Sequence, residues 1–228
     1  MLSIIIPTFN SAATVGGTIK SMRKNDMDVF DILVADGGSD DLSATIAASL
    51  GASVFTTQPG RGQQLAFGAD KAIENGATWL LFVHGDSVLP DGATEIITDF
   101  INNPKNINRA GYFKLSFNDD SADATRVSGL ANWRAETFGL PYGDQGFLIS
   151  ANYYKKLGGF KPELDLMEDV DMAMRVGKKN FVQLDGEIKT SAEKYVRDGW
   201  VLRPLKNILC LLLYLGGASQ KTIKGIYK

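Results

Sequence analysis

The first hundred residues alternate short apolar runs with amphipathic stretches four times, and that alternation constrains the fold more than any other feature of the chain. Leu2–Ile6, rich in β-branched residues and closed by Pro7, reads as a buried strand. Val29–Ala35, Ser53–Thr56 and Trp79–Val83 read as three more. Between and after them, Ala12–Asn25, Leu42–Leu50, Gly62–Asn75 and Gly92–Asn102 carry helical patterns, the second and third stopped by Gly51 and Gly76. Strand–helix repetition of this kind predicts a parallel α/β sheet with right-handed crossovers.

Ligands of such sheets bind beyond the carboxyl ends of the strands. Those ends here hold Thr8-Phe9-Asn10, Asp36-Gly37-Gly38, Gln58-Pro59-Gly60-Arg61 and His84-Gly85-Asp86. Polar and charged groups therefore collect where the topology places a site.

Beyond residue 105 the spacing changes. Ala110–Phe117, Phe147–Ser150 and Phe181–Leu184 read as strands. Ala122–Thr137, Asn152–Leu157, Glu168–Lys178 and Leu205–Leu215 read as helices. No linker or repeat divides the chain, so a single domain is expected, with residues 1–104 as one half and 105–228 as a continuation of the same sheet with mixed strand directions.

Composition removes several classes. Apolar residues are 44 % and charged residues 22 % of 228, an ordinary globular balance, so whole-chain disorder is excluded. One cysteine, Cys210, excludes a disulfide framework, and one Cys with one His leaves no ordinary zinc site. A hard cation held by oxygens stays open. A net charge of −2 argues against nucleic-acid binding. The charge is uneven, however: from Lys194 onward seven Lys and Arg face Asp198 alone. A basic tail on an acidic body suggests contact with an anionic phospholipid surface. The N-terminus has no basic lead-in and Pro7 ends its apolar run, so no signal peptide is read there. The longest apolar run, Ile208–Leu215, falls far short of the about 20 residues that span a bilayer. Its helix reads first as core and second as a membrane-surface contact.

Each motif has two readings. Asp36 can accept from a ribose hydroxyl or a base N–H, or bond its own turn. Asp86, delivered by a buried strand, can hold Mg²⁺ together with phosphate oxygens, or cap a helix. Arg61 opens a helix, where fork geometry and dipole favour a phosphate, or it is simply solvated. Glu168-Asp169 begins a helix, as a general base or as acids complementing the macrodipole. Tyr142-Gly143-Asp144-Gln145-Gly146 is a polar turn that could shape an acceptor pocket. Gly60-Arg61-Gly62 misses the dinucleotide fingerprint, since Leu65 replaces its last glycine and the motif follows the third strand; no P-loop occurs either.

Taken in order, these segments resemble family 2 glycosyltransferases of the GT-A fold. Ser3–Asn10 is similar to the opening strand and loop, Asp36-Gly37-Gly38-Ser39-Asp40-Asp41 to the nucleotide-binding turn, His84-Gly85-Asp86 to the Asp-x-Asp metal motif, and Glu168-Asp169 to the catalytic pair. More narrowly, Gly60-Arg61-Gly62, Gly139–Gly146 and Leu166–Val170 resemble a bacterial branch described as radical-SAM/selenodomain-associated transferase 2.

The resemblance implies inverting transfer of a sugar from a nucleotide donor, UDP-linked by preference, to a hydroxyl acceptor. It implies a Rossmann-like mixed sheet, with the first half binding the nucleotide and the second the acceptor. Pro7, Thr8, Asn10, Asp36, Arg61 and His84 would form the nucleotide side. Asp86 would bind Mg²⁺ or Mn²⁺, Asp169 would act as base assisted by Glu168, and Gly143, Asp144 and Gln145 would meet the acceptor. The chain departs from the family where His84 replaces the first metal-motif acid, and from some of its members where Ala35 stands in place of a second acid before Asp36. With the basic tail, the expectation is a cytoplasmic enzyme in peripheral membrane contact, acting on a lipid-linked acceptor. The alternatives are a sugar nucleotidyltransferase, against which the glycine-free Pro7-Thr8-Phe9-Asn10 turn counts, and a non-catalytic nucleotide-binding module.

Overall fold

Ile4, Ile5 and Ile6 are wholly buried, and the pleat sends them to opposite sides of one sheet. Ile4 and Ile6 join one apolar cluster with Val15, Ile19, Ile97 and Phe100, and Ile5 joins another with Leu65, Ala69, Tyr154 and Met172. That two-sided burial explains why the strands read as continuous apolar runs. The computed structural model describes residues 1–25 and 30–227.

The strands are β1 (Leu2–Thr8), β2 (Asp31–Asp36), β3 (Ser53–Thr56), β4 (Trp79–Phe82), β5 (Ser87–Val88), β6 (Ala110–Phe117), β7 (Phe147–Ser150) and β8 (Phe181–Thr190). They form one eight-stranded sheet in the order β3-β2-β1-β4-β7-β6-β8-β5. The first four strands, β1 to β4, are parallel. β7 then runs antiparallel to β4 and β6, and β5 antiparallel to β8. The helices are α1 (Val15–Lys24), α2 (Ser43–Ser49), α3 (Arg61–Glu74), α4 (Ala93–Asn102), α5 (Ala122–Phe138), α6 (Ala151–Lys156), α7 (Glu168–Val176), α8 (Glu193–Asp198), α9 (Leu202–Leu215) and α10 (Gln220–Tyr227).

Several elements differ from the sequence expectation. The second strand begins at Asp31, and the predicted start at Val29 lies outside the described residues. α1 starts at Val15, because the backbone N–H groups of Ser11 and Ala12 are drawn to Ser43 Oγ at 2.7 Å and Asp41 Oδ2 at 3.0 Å. β8 runs six residues beyond Leu184, past an irregularity in its pairing with β6. Its far half alternates buried Ile188 and Thr190 with exposed Glu187 and Lys189, a one-faced strand that an apolar-run search overlooks.

α9 is not a core helix. Arg203 and Cys210 are its buried residues, whereas Leu202, Leu205, Ile208, Leu209, Leu212 and Leu215 are exposed. Its inner side packs through Cys210 on Ile223 of α10 and on Met167 and Val170 at the start of α7.

Candidate active site

β1 and β4 run side by side, and β1's Thr8 and β4's His84-Gly85-Asp86 extension open on one cavity of about 340 Å³. Pro7, Thr8, Asn10, Arg61, His84 and Asp86 line it, as the sequence places them, joined by Ser191, Glu193 and Lys194. A smaller adjoining cavity of about 80 Å³ is lined by Tyr142, Asp144, Asp169, Tyr195 and Tyr227. Arg61, His84, Asp86, Ser191 and Lys194 border both. The two cavities thus share a wall of charged groups.

Asp36 does not open on this cleft. It is 3 % exposed, and its oxygens accept from Thr8 Oγ1 (2.9 Å), Ser39 Oγ (2.5 Å), Ser39 N (2.8 Å) and Gly38 N (3.1 Å). Its bonding capacity goes into its own turn, so it shapes the loop rather than meeting a ligand. Asn10, at φ +50°, accepts from Asp40 N at 3.0 Å while its own N–H donates to Ser39 Oγ at 2.9 Å. Asparagine tolerates that left-handed conformation better than most residues. The two loops are thereby clasped at the mouth of the larger cavity.

The acids that open α7 separate into three roles. Asp171 is bound by Lys161 at 2.7 Å, by Arg175 and by the Tyr214 hydroxyl at 3.0 Å, an anchor within the fold. Asp169 faces the small cavity, its Oδ2 accepting from Gly143 N at 2.9 Å and its Oδ1 from Val170 N at 2.7 Å. Glu168 points inward. It is 1 % exposed, neither oxygen has a hydrogen-bond partner, and its neighbour is Arg61 Nε at 3.5 Å. Burial raises its pKa to about 8 against the opposing pull of Arg61. It therefore lies behind Arg61 and does not line the small cavity. Met167, immediately before, holds φ +66°. A left-handed non-glycine residue costs about 1–3 kcal/mol, and the helix that starts after it sets consecutive side chains about 100° apart, so the two acids diverge.

The 142–146 turn is also divided. Gln145 is fully buried, receives Tyr142 N at 3.2 Å and Arg134 Nη2 at 3.3 Å, and donates to Phe113 O at 3.2 Å. It braces the turn and lines neither cavity. Gly143 is required where it stands, because a Cβ there would lie 2.5 Å from His84 Nε2. Asp144 does border the small cavity, with Oδ1 buried and unpartnered. Burial lifts its pKa to about 6, with Asp169 and Asp86 adding to the rise and Arg134 opposing it. Enclosure holds His84 well below its usual value, and Arg61 and Lys194 push the same way, so its imidazole is neutral at pH 7.

Asp86 is fixed by the short β5, whose Ser87 pairs with Thr190; Thr190 Oγ1 donates to Asp86 at 3.4 Å. Among the described residues no three His, Cys, Asp or Glu side chains form a metal cluster. The donor set still fits a hard cation bound jointly with a ligand. Asp86 supplies carboxylate oxygens beside the unpartnered Asp144 Oδ1, and Mg²⁺-type ions are commonly held by one or two carboxylates plus substrate phosphates.

Lys194, Tyr195 and Tyr227 are site residues the sequence did not reveal. They come from α8, a helix of only six residues, and from α10, a short helix at the end of the chain; neither was read from the sequence. Lys194 registered only as one of the tail's positive charges, the single signal that pointed to it.

The sheet and cleft define a GT-A glycosyltransferase fold. *Staphylococcus aureus* TarS (residues 1–349, in complex with UDP-GlcNAc) superimposes over 99 % of this chain and 70 % of its own, with a TM-score of 0.66 at 15 % identity. A *Pyrobaculum calidifontis* mannosyltransferase in complex with GDP-Man and Mn²⁺ matches 90 % of this chain and 59 % of its own, with a TM-score of 0.61 at 15 % identity. The family model of glycosyl transferase family 2 matches residues 3–154, and the chain belongs to that family. A PGL/p-HBAD biosynthesis glycosyltransferase of *Mycobacterium tuberculosis* is 32 % identical over 105 residues, 41 % of this chain and 38 % of the relative. The chain thus spans well under half the length of such curated relatives.

Proposed function

We propose that the protein is an inverting, divalent-metal-dependent glycosyltransferase that moves a sugar from a nucleotide-diphosphate donor, UDP-linked by preference, to a hydroxyl acceptor. The observation that carries this reading is the shared wall: Arg61, His84, Asp86 and Lys194 border both cavities, with Asp169 on the smaller one. A donor in the larger cavity places its diphosphate at that wall and its sugar toward Asp169. The complexes of structural relatives with UDP-GlcNAc and with GDP-Man and Mn²⁺ support the donor class and the metal.

Asp169 would take the proton of the acceptor hydroxyl. The oxygen then forms its bond to the anomeric carbon from the face opposite the diphosphate, and the bond to the diphosphate breaks with both electrons leaving on phosphate. Two backbone N–H bonds hold the Asp169 carboxylate in place for this. Arg61 and Lys194 would meet the charge that grows on the leaving group, which stabilises the transition state more than the ground state. Glu168 keeps Arg61 aimed from behind. Mg²⁺ or Mn²⁺, held by Asp86 with the donor phosphates, would supply Lewis-acid stabilisation of the same charge. Neutral His84 contributes no charge to that ion, so Asp86 carries the ligation from this motif.

The exposed leucines of α9 and the basic tail support a peripheral contact with an anionic membrane surface, on its cytoplasmic face. No helix among the described residues is long and apolar enough to cross a membrane. Flotation with anionic liposomes tests this contact, and an intact protein that never floats removes it.

The donor test is a thermal-shift panel of UDP, GDP, CDP and ADP with Mn²⁺, Mg²⁺ or EDTA. A ligand that binds only the folded form stabilises it by about 2.7 kcal/mol at a hundredfold excess over Kd. A metal-dependent rise with one diphosphate is expected. No rise with any of them would refute the reading.

A further inference from the structure

α5 and α9 lie on either side of an apolar groove of about 290 Å³, walled by Leu130, Trp133, Phe138, Pro204, Ile208 and Leu211. Leu130, Trp133, Phe138 and Ile208 are each more than half exposed. At its inner end the groove meets the small catalytic cavity, because Tyr142, Tyr195 and Asn207 line both. The groove is therefore graded. It is apolar along its length and polar at the junction, where the Arg134 guanidinium sits 3.4 Å from the centre of the Tyr142 ring. Asp144 and Asp169 wait just beyond.

We infer that this groove holds the hydrocarbon chain of a lipid acceptor whose hydroxyl-bearing head enters the small cavity, an assignment that rests on the glycosyltransferase reading. Two features select this occupant. The groove shares Tyr142, Tyr195 and Asn207 with the catalytic cavity, so a slender chain lying in it would bring a polar end to the acceptor side; a second copy of the protein would cover the outer walls and make no use of that adjacency. The groove also adjoins the exposed leucine face of α9, so a chain leaving it passes onto an apolar surface and not into water. Phe138 and Trp133, edge to face with centroids 5.3 Å apart, supply a rigid wall at low entropic cost.

The test uses n-octyl and n-decyl β-D-glucoside below their critical micelle concentrations, with glucose as the headgroup alone, titrated calorimetrically against the full chain. Each buried methylene is worth about 0.8 kcal/mol, or about fourfold in affinity, so the decyl compound should bind about fifteenfold tighter than the octyl. Glucose should show no measurable binding. Leu130→Asp and Ile208→Asp should each weaken decyl glucoside at least tenfold, and Ile208→Leu should restore it. Both sites are exposed enough to accept the change. Metal-dependent stabilisation by UDP should be unchanged in every variant, since neither residue lines the donor cavity.

Equal affinity for the two chain lengths, or undiminished binding by the aspartate variants, overturns the inference. So does a result in which those variants lose liposome flotation but keep the monomeric glucoside, which would make the apolar face a membrane contact alone. Failure of UDP to stabilise the unaltered protein would instead sink the transferase reading, and with it the acceptor role. Failure of decyl glucoside beside an intact UDP response sinks the groove alone.

Discussion

Glu168 offers a prediction whose sign follows from burial. Its carboxyl is 1 % exposed, lacks hydrogen bonds and has a pKa pushed up to about 8, against 4.5 for an ordinary glutamate. Below the ordinary value both folded and unfolded chains hold the proton, and the residue contributes nothing to the pH dependence. Between 4.5 and about 8 the unfolded chain has released it while the folded protein keeps it. The folded state then binds more protons, so stability falls as pH rises through that window and levels off above it. One such proton gives a slope of about 1.4 kcal/mol per pH unit, and the whole window is worth on the order of 5 kcal/mol. Glu168→Gln removes the titration and keeps the shape. Urea unfolding of both proteins from pH 5 to 8.5 should show the variant gaining on the parent by several kcal/mol. The depressed carboxyls of Asp41 and Asp171 titrate alike in both and cancel in the difference. A fixed cost of burying the amide shifts the offset, not the slope. Parallel curves across the range would mean that Arg61 keeps Glu168 ionised in the fold, and the burial reasoning would fail.

Asp169→Asn should lower kcat by about 10²–10⁴-fold, the usual worth of a general base, while UDP with Mn²⁺ still raises Tm; near-normal turnover would refute the base assignment. Lys194→Gln should weaken UDP by about tenfold or more in a calorimetric titration, since hydrogen bonds to charged groups contribute about 1.5–3 kcal/mol; an unchanged Kd would place Lys194 outside the diphosphate's reach. Gly62→Ala should destabilise the protein by about 1–3 kcal/mol, the usual cost of overpacking, because its Cβ would fall 2.3 Å from Lys161 O and 2.4 Å from Leu164 O. A urea midpoint equal to that of the parent would show that the 161–164 backbone yields freely.

What could be read from the sequence follows from how the chain buries its strands. Ile4, Leu33 and Leu81 lie in strands covered on both faces, so they announce themselves as apolar runs, and the strand ends locate Thr8, Arg61 and Asp86 without further help. β8 carries its far half with one face exposed, and its alternation is interrupted at Gly186, so the pattern breaks where the site begins. α8 and α10 were invisible for a related reason: they present few buried side chains, Ile223 being the buried one of α10. Spacing also cannot reveal direction. Glu168 and Asp169 are adjacent in sequence and look like one unit, yet on α7 one lies against Arg61 and the other on the cleft. Likewise Asp36 and Gln145 look like ligand contacts, until the bonds that consume their polar atoms are seen.

The division between what is shared and what is particular runs along the same line. The family match covers residues 3–154, which build the β1 and β4 ends, Arg61, His84 and Asp86, the wall that would receive a nucleotide diphosphate. Asp169, Tyr195 and Tyr227 lie beyond that stretch and line the small cavity, as does Lys194 on the wall it shares with the larger one. α9, which carries one wall of the apolar groove, also lies beyond it. Donor chemistry is therefore supported by kinship and geometry together. On the proposed reading, acceptor choice would rest on α5 and α9, helices that pack on the outside of the sheet. A surface helix is free to exchange its outward side chains at small cost in stability, since substitutions away from the core usually change it by less than about 0.5 kcal/mol. On the proposed reading, then, the acceptor could change while the donor wall stays as it is, and the α5–α9 groove is where such a change would be written.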